Sequence, residues 1–79
     1  MNRKVYEAVL SGNSDNNIRF IDFRNLMLDL GFEFKRQRGS HTIYFHEKYN
    51  VLMNIQKDGS KAKSYQVEQL RNIILKYNL

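Results

Sequence analysis

Histidine is the side chain that ordinarily exchanges a proton near neutral pH, and this chain has two, His41 and His46. They cannot act as a pair. In a strand, residues five apart point to opposite faces, so the two rings do not converge on one metal or one phosphate. The carboxylates Asp15, Asp22, Asp29, Glu33, Glu47 and Asp58 show no close pair of the kind that two-metal nucleases use. There are no cysteines, and the four glycines are isolated, which removes thiolate chemistry and a phosphate-cradling loop. His41 is the better placed histidine, directly after a glycine turn, beside Arg36 and Arg38 and within reach of a basic segment that starts at Lys57. On a positive surface such a ring can take a proton from a ribose 2′-OH or return one to a leaving 5′-oxygen, while cations stabilise the phosphorane. On the residue pattern alone, a structural or merely exposed histidine is the stronger reading. His46, next to Glu47, is expected at the surface.

Five elements and a short extension must position these groups. Val5, Ala8 and Val9, with Tyr6 and Leu10, make a weak helical stripe over 3–10 that stops at Ser11-Gly12. The polar run Asn13 to Asn17 is a loop, and Ile18 is a brief extended residue packed inward. Phe20, Phe23, Leu26, Met27 and Leu30 recur at three- and four-residue spacing, predicting an amphipathic helix with Asp22 in its first turn and Gly31 at its end. The period then changes to two. Phe32 and Phe34 share one face of a first strand, Arg38-Gly39 supplies a turn, and His41 to His46 makes a second strand. Val51, Met53 and Ile55 face the core from a third. Ile43 and Phe45 share parity with His41, so either His41 lies just beyond the core or a bulge resets the alternation. Residues 57–63 read as a polar, basic loop. A final helix runs from Ser64, a credible N-cap, to about Tyr77, with Val67, Leu70, Ile73, Ile74 and Tyr77 buried. The expected fold class is α+β: a three-stranded antiparallel meander with helices on one face, plus an extra N-terminal helix.

The chain has 79 residues and a formal net charge of +5, enough for one core and not two. No apolar run approaches the roughly 20 residues that cross a bilayer, and no secretory signal is seen, so the reducing cytosol is the default expectation. From Glu33 to Lys63 there are seven basic and three acidic residues. Nearly all of the excess charge therefore sits on the strands and their loops, as a solvated surface or as a phosphate-binding face.

Three stretches carry a resemblance. Leu30-Gly31-Phe32, then Arg36 to Tyr44 with Gly39-Ser40-His41 inside it, then Asp58 to Lys63 leading into Gln69 to Ile74 resemble the HicA family of bacterial and archaeal toxins over roughly 20–79. The resemblance implies a fold similar to the double-stranded RNA-binding domain, and an mRNA interferase that needs no metal or other cofactor. It implies His41 as the catalytic histidine and a HicB-type antitoxin that covers it. Many relatives open the last helix with proline where this chain has Ser64, and 1–17 extends beyond the compact form of the family.

Together these readings predict one toxin domain over 1–79, with core 18–79 and N-terminal extension 1–17. Its partners would be mRNA and the antitoxin, with no membrane and no metal. RNA contacts are expected from Arg36, Arg38, Ser40, Lys57, Lys61 and Lys63. Tyr44, a lysine or water would serve the second proton transfer. The rival is a double-stranded RNA-binding-domain-like module that binds RNA without cutting it.

Overall fold

The structure, a computed structural model, describes residues 1–79. In chain order the elements are α1 (Arg3–Ser11), α2 (Phe20–Asp29), β1 (Glu33–Arg38), β2 (His41–His46), β3 (Val51–Asp58), β4 (Lys61–Ala62) and α3 (Ser64–Tyr77). This is an α+β arrangement in which the four strands form one antiparallel sheet in the order β1-β2-β3-β4. One cluster of 13 buried residues joins Tyr44, Met53, Ile55 and Ala62 of the sheet to side chains from all three helices. The helices therefore cover a single face, and the other face is open.

The helical stripes follow from spacing. Phe23, Leu26 and Met27 of α2 and Val67, Leu70 and Ile74 of α3 are buried, and each such side chain contributes about 1.5–3 kcal/mol when removed from water. Phe20 and Leu30 only flank the core. Helix α1 begins at Asn2, whose side chain accepts from the Val5 N–H at 3.2 Å, and it inserts a fully buried Val9. The Tyr6 hydroxyl donates to the Leu79 carbonyl at 2.9 Å, and Arg71 of α3 donates to the Val9 carbonyl at 2.9 Å. The N-terminal extension is thus built into the core beside α3.

Two expectations are corrected. The basic stretch 57–63 is not only a loop, because Asp58-Gly59 turns the chain so that Asp58 pairs with Lys61 and Lys57 with Ala62. Gly59 takes a φ of +62°, the left-handed conformation that an Asp-Gly turn supplies. The sheet therefore has four strands. The backbone of 60–62 also closes the start of α2: the Phe20 N–H donates to the Ser60 carbonyl and the Ala62 N–H to the Ile18 carbonyl, both at 2.9 Å. Arg19 offers no side-chain cap, and the neighbouring strand takes over that role. The second correction concerns α3, whose capping residue is Lys63, with no side-chain cap bond, so Ser64 is the first helical residue.

Candidate functional site

The alternation along β2 assigns each of its side chains to a face. Tyr44 and His46 are buried, so Thr42, Tyr44 and His46 face the helices and His41, Ile43 and Phe45 face outward. His46 is therefore not the surface residue that its neighbour Glu47 suggested. It is only 6% exposed, its Nε2 lies 2.9 Å from the Leu30 carbonyl, and its ring meets Phe32 edge-on at 5.2 Å. A carbonyl only accepts, so Nε2 carries the proton. Tyr49 and then Tyr77 continue this aromatic stack. This histidine joins α2 to the sheet and is withdrawn from solvent chemistry.

The parity conflict at His41 is resolved by the outward face and by a bulge in the neighbouring strand. Phe34 pairs with Tyr44 and Arg36 with Ile43, leaving Lys35 as the extra residue. A bulge of this kind shifts the alternation by one. Without it, Arg36 and Arg38 would share one face with Phe34. With it, Arg36 pairs with Ile43 and Arg38 with His41, and both arginines share the outward face with the histidine.

His41, Arg36, Arg38, Ile43 and Asn54 surround a cleft of about 280 Å³ on this open face. The His41 Nδ1 lies 3.2 Å from the Asn54 Oδ1. Because that oxygen only accepts, Nδ1 carries a proton, and in the neutral ring the lone pair is on Nε2. On β3, Gln56 lies opposite His41. Its side chain donates to the Ser40 Oγ at 2.8 Å and accepts from the Lys63 Nζ at 3.0 Å. Below it, the buried Gln66 of α3 accepts from the Gln56 N–H at 3.1 Å and donates to the Asn54 carbonyl at 3.0 Å. The strand residues that flank His41 are therefore held from the helix side by one carboxamide. Asn54, Gln56 and Gln66 carry no chemistry that singles them out in the sequence. The period-two pattern of β3, with Met53 and Ile55 inward, is the signal that marks Asn54 and Gln56 as outward neighbours of His41.

The remaining expected RNA contacts divide. Ser40 and Lys57 line a cavity on the helix side of the β1–β2 hairpin, away from the His41 cleft. Lys61 donates to the Asn17 Oδ1 at 2.9 Å, and with Lys63 it borders a cleft near Tyr65 and Asp58. The ion pairs of the protein join Arg3 to Glu7, Lys35 to Glu33 and Arg71 to Asp15, so Arg36, Arg38, Lys57, Lys61 and Lys63 remain free of carboxylates. Tyr44 points to the helix side, away from His41, and burial pushes its hydroxyl pKa up. No three histidine, aspartate or glutamate side chains gather at one point, and no helix is long and apolar enough to cross a membrane.

The family described as the HicA toxin of bacterial toxin-antitoxin systems matches residues 22–76. The chain belongs to the HicA toxin family. The matched span runs from the first turn of α2 to the last turn of α3 and holds the whole His41 cleft. No curated protein and no solved structure shows a significant match. As a HicA toxin, the protein is one half of a toxin–antitoxin pair.

Proposed function

We propose that this HicA toxin is an endoribonuclease that cuts mRNA without a metal ion, with His41 as its catalytic residue. The observation that supports it most is the cleft itself: one accessible imidazole with a free Nε2, two unpaired guanidinium groups, and a carboxamide holding Nδ1. The Nε2 takes the proton of a ribose 2′-OH, the 2′-oxygen bonds to phosphorus, and the bond to the 5′-oxygen breaks. Arg36 and Arg38 stabilise the added negative charge of the phosphorane. The leaving 5′-oxygen takes its proton from water or a nearby lysine, leaving a cyclic phosphate on one fragment. Lys57, Lys61 and Lys63 extend the positive surface along which the RNA lies, and the Ser40 hydroxyl adds a neutral hydrogen-bonding contact. The fold is read as similar to the double-stranded RNA-binding domain, with 18–79 as the toxin core and 1–17 as its extension. A HicB-type antitoxin would silence the protein by covering the cleft, where Ile43 and Phe45 add apolar surface between the cations.

The test compares the protein with its His41→Ala variant. The parent should arrest growth on expression in bacteria and fragment purified RNA with chelator present, and the variant should do neither. Equal growth arrest and equal RNA decay from the two would remove His41 from the chemistry. Retarded but intact RNA from the parent would mark a binding module without chemistry.

A further inference from the structure

The cavity on the helix side of the β1–β2 hairpin is the largest in the protein, about 550 Å³, within the 300–1,000 Å³ typical of small-molecule sites. Its walls combine two kinds of group. Phe20 and Arg24, one turn apart on α2, face Phe34 of β1 and Tyr44 of β2, and Ser40 and Lys57 close the end towards the hairpin tip. Phe34 leaves 52% of its surface in water while its ring and that of the buried Tyr44 meet in an edge-to-face pair at 5.7 Å. Arg24 has a buried Nε with no hydrogen-bond partner, and its one side-chain bond is to the Asn25 Oδ1 at 3.4 Å. Neither Arg24 nor Lys57 meets a carboxylate, and no acidic residue lines the cavity.

Flat apolar walls with two unneutralised cations and no acid suit a ligand that is planar at one end and anionic at the other. We propose that this cavity holds one unpaired nucleotide of the RNA, its base against Phe34 and Phe20 and its phosphate on Arg24 and Lys57. The inference rests on the RNA-directed reading of the His41 cleft. Ser40 connects the two places: it lines the cavity and immediately precedes His41. A strand crossing the hairpin tip would leave its scissile phosphate on the open face and seat a neighbouring base on the helix face. A base inside a duplex must be unstacked and unpaired before it can enter such a cavity, at a cost of a few kcal/mol. The substrate class is therefore single-stranded RNA.

The experiment uses the full chain carrying His41→Ala, so that RNA stays intact, and measures anisotropy of a labelled single-stranded RNA and of a labelled hairpin duplex. Adding Phe34→Ala should weaken single-strand binding roughly 5- to 150-fold, the range that loss of one stacked base produces, and leave duplex binding unchanged. Phe34→Tyr should restore it. Arg24→Ala and Lys57→Ala should each lower the salt dependence of single-strand binding by about one phosphate contact. Unchanged single-strand affinity in Phe34→Ala would overturn the proposal, as would equal losses on single strand and duplex. If Phe34→Ala weakens antitoxin binding and leaves RNA binding intact, the cavity is a protein-docking site and the proposal falls. Because binding is read in the His41→Ala background, a failure of the parent to cleave RNA leaves this result standing.

Discussion

Gly31 joins α2 to β1 with a φ of +104°, and a Cβ added there would lie 2.7 Å from the Nε2 of His46. Substituting Gly31→Ala therefore does two separable things. It places a side chain on a backbone conformation that costs about 1–3 kcal/mol, and it drives the His46 ring off its 2.9 Å bond to the Leu30 carbonyl. The ring cannot retreat freely, because Phe32 and Tyr49 pack against it. A buried hydrogen bond broken in this way costs about 1–3 kcal/mol, so the sum is about 4 kcal/mol. A chain of this size has ~4–12 kcal/mol of stability in total, so the variant is left close to unfolding. With no tryptophan, far-UV circular dichroism through a urea titration is the appropriate assay. At a slope of about 1–2 kcal/mol/M, the midpoint should fall by ~2–4 M. In a His46→Ala background the steric part vanishes, and Gly31→Ala should cost only the backbone part, a coupling of about 1–3 kcal/mol. A cost below about 1 kcal/mol, or the same cost in both backgrounds, would refute the packing account of Gly31 and His46.

Asn54→Ala should lower kcat about five- to tenfold with little change in KM, since it removes a bond of ~1 kcal/mol that orients His41. Asn54→Asp should move the acidic limb of the rate profile, where the base must lose its proton, to higher pH, because a carboxylate favours the imidazolium; an unmoved profile would show that Asn54 does not face the working histidine. Deleting Lys35 takes out the bulge residue without altering which faces Arg36 and Arg38 occupy, so cleavage should survive, whereas Arg36→Ala and Arg38→Ala should each weaken it. Comparable losses in all three variants would contradict the bulged pairing of β1 with β2. Asp15→Ala removes the two bonds that the Asp15 carboxylate accepts from Arg71, at 2.9 and 3.0 Å. It should cost about 1–3 kcal/mol and raise amide exchange in α1 before the rest of the chain. Burial holds the Tyr44 hydroxyl above its ordinary value of 10.0. The unfolded chain loses that proton first, so this contribution is complete below pH 10 and is lost as pH rises further; Tyr44→Phe should flatten the loss seen in urea midpoints above that pH.

Much of this protein was legible residue by residue. The stripes Phe23, Leu26, Met27 and Val67, Leu70, Ile74 announced two helices because a period near 3.6 leaves one face apolar. The change to period two after Gly31 announced strands, and the Gly39-Ser40-His41 element pointed to the family and to the histidine. What stayed out of sight were pairings between distant segments. The two residues of β4 carry no pattern of their own and exist because Asp58-Gly59 folds them back on Lys57 and Asp58. His46 looked exposed beside Glu47, yet the Leu30 carbonyl and Phe32, both distant in sequence, supply its burial.

By itself, then, the sequence determined the element types and the excess of positive charge on the strands, because these depend on local spacing and side-chain identity. Only the tertiary structure decided which faces meet. The extra residue at Lys35 lets Phe34 face the helices while Arg36 and Arg38 share the side of His41, and that slip is defined by hydrogen bonds to β2, not by the residues of β1. The same pairing parts Ser40 and Lys57 from the His41 cleft and lines a second cavity with them. Neighbouring strand residues with one shared charge can serve opposite faces, since a strand assigns its side chains by register and register belongs to the pair.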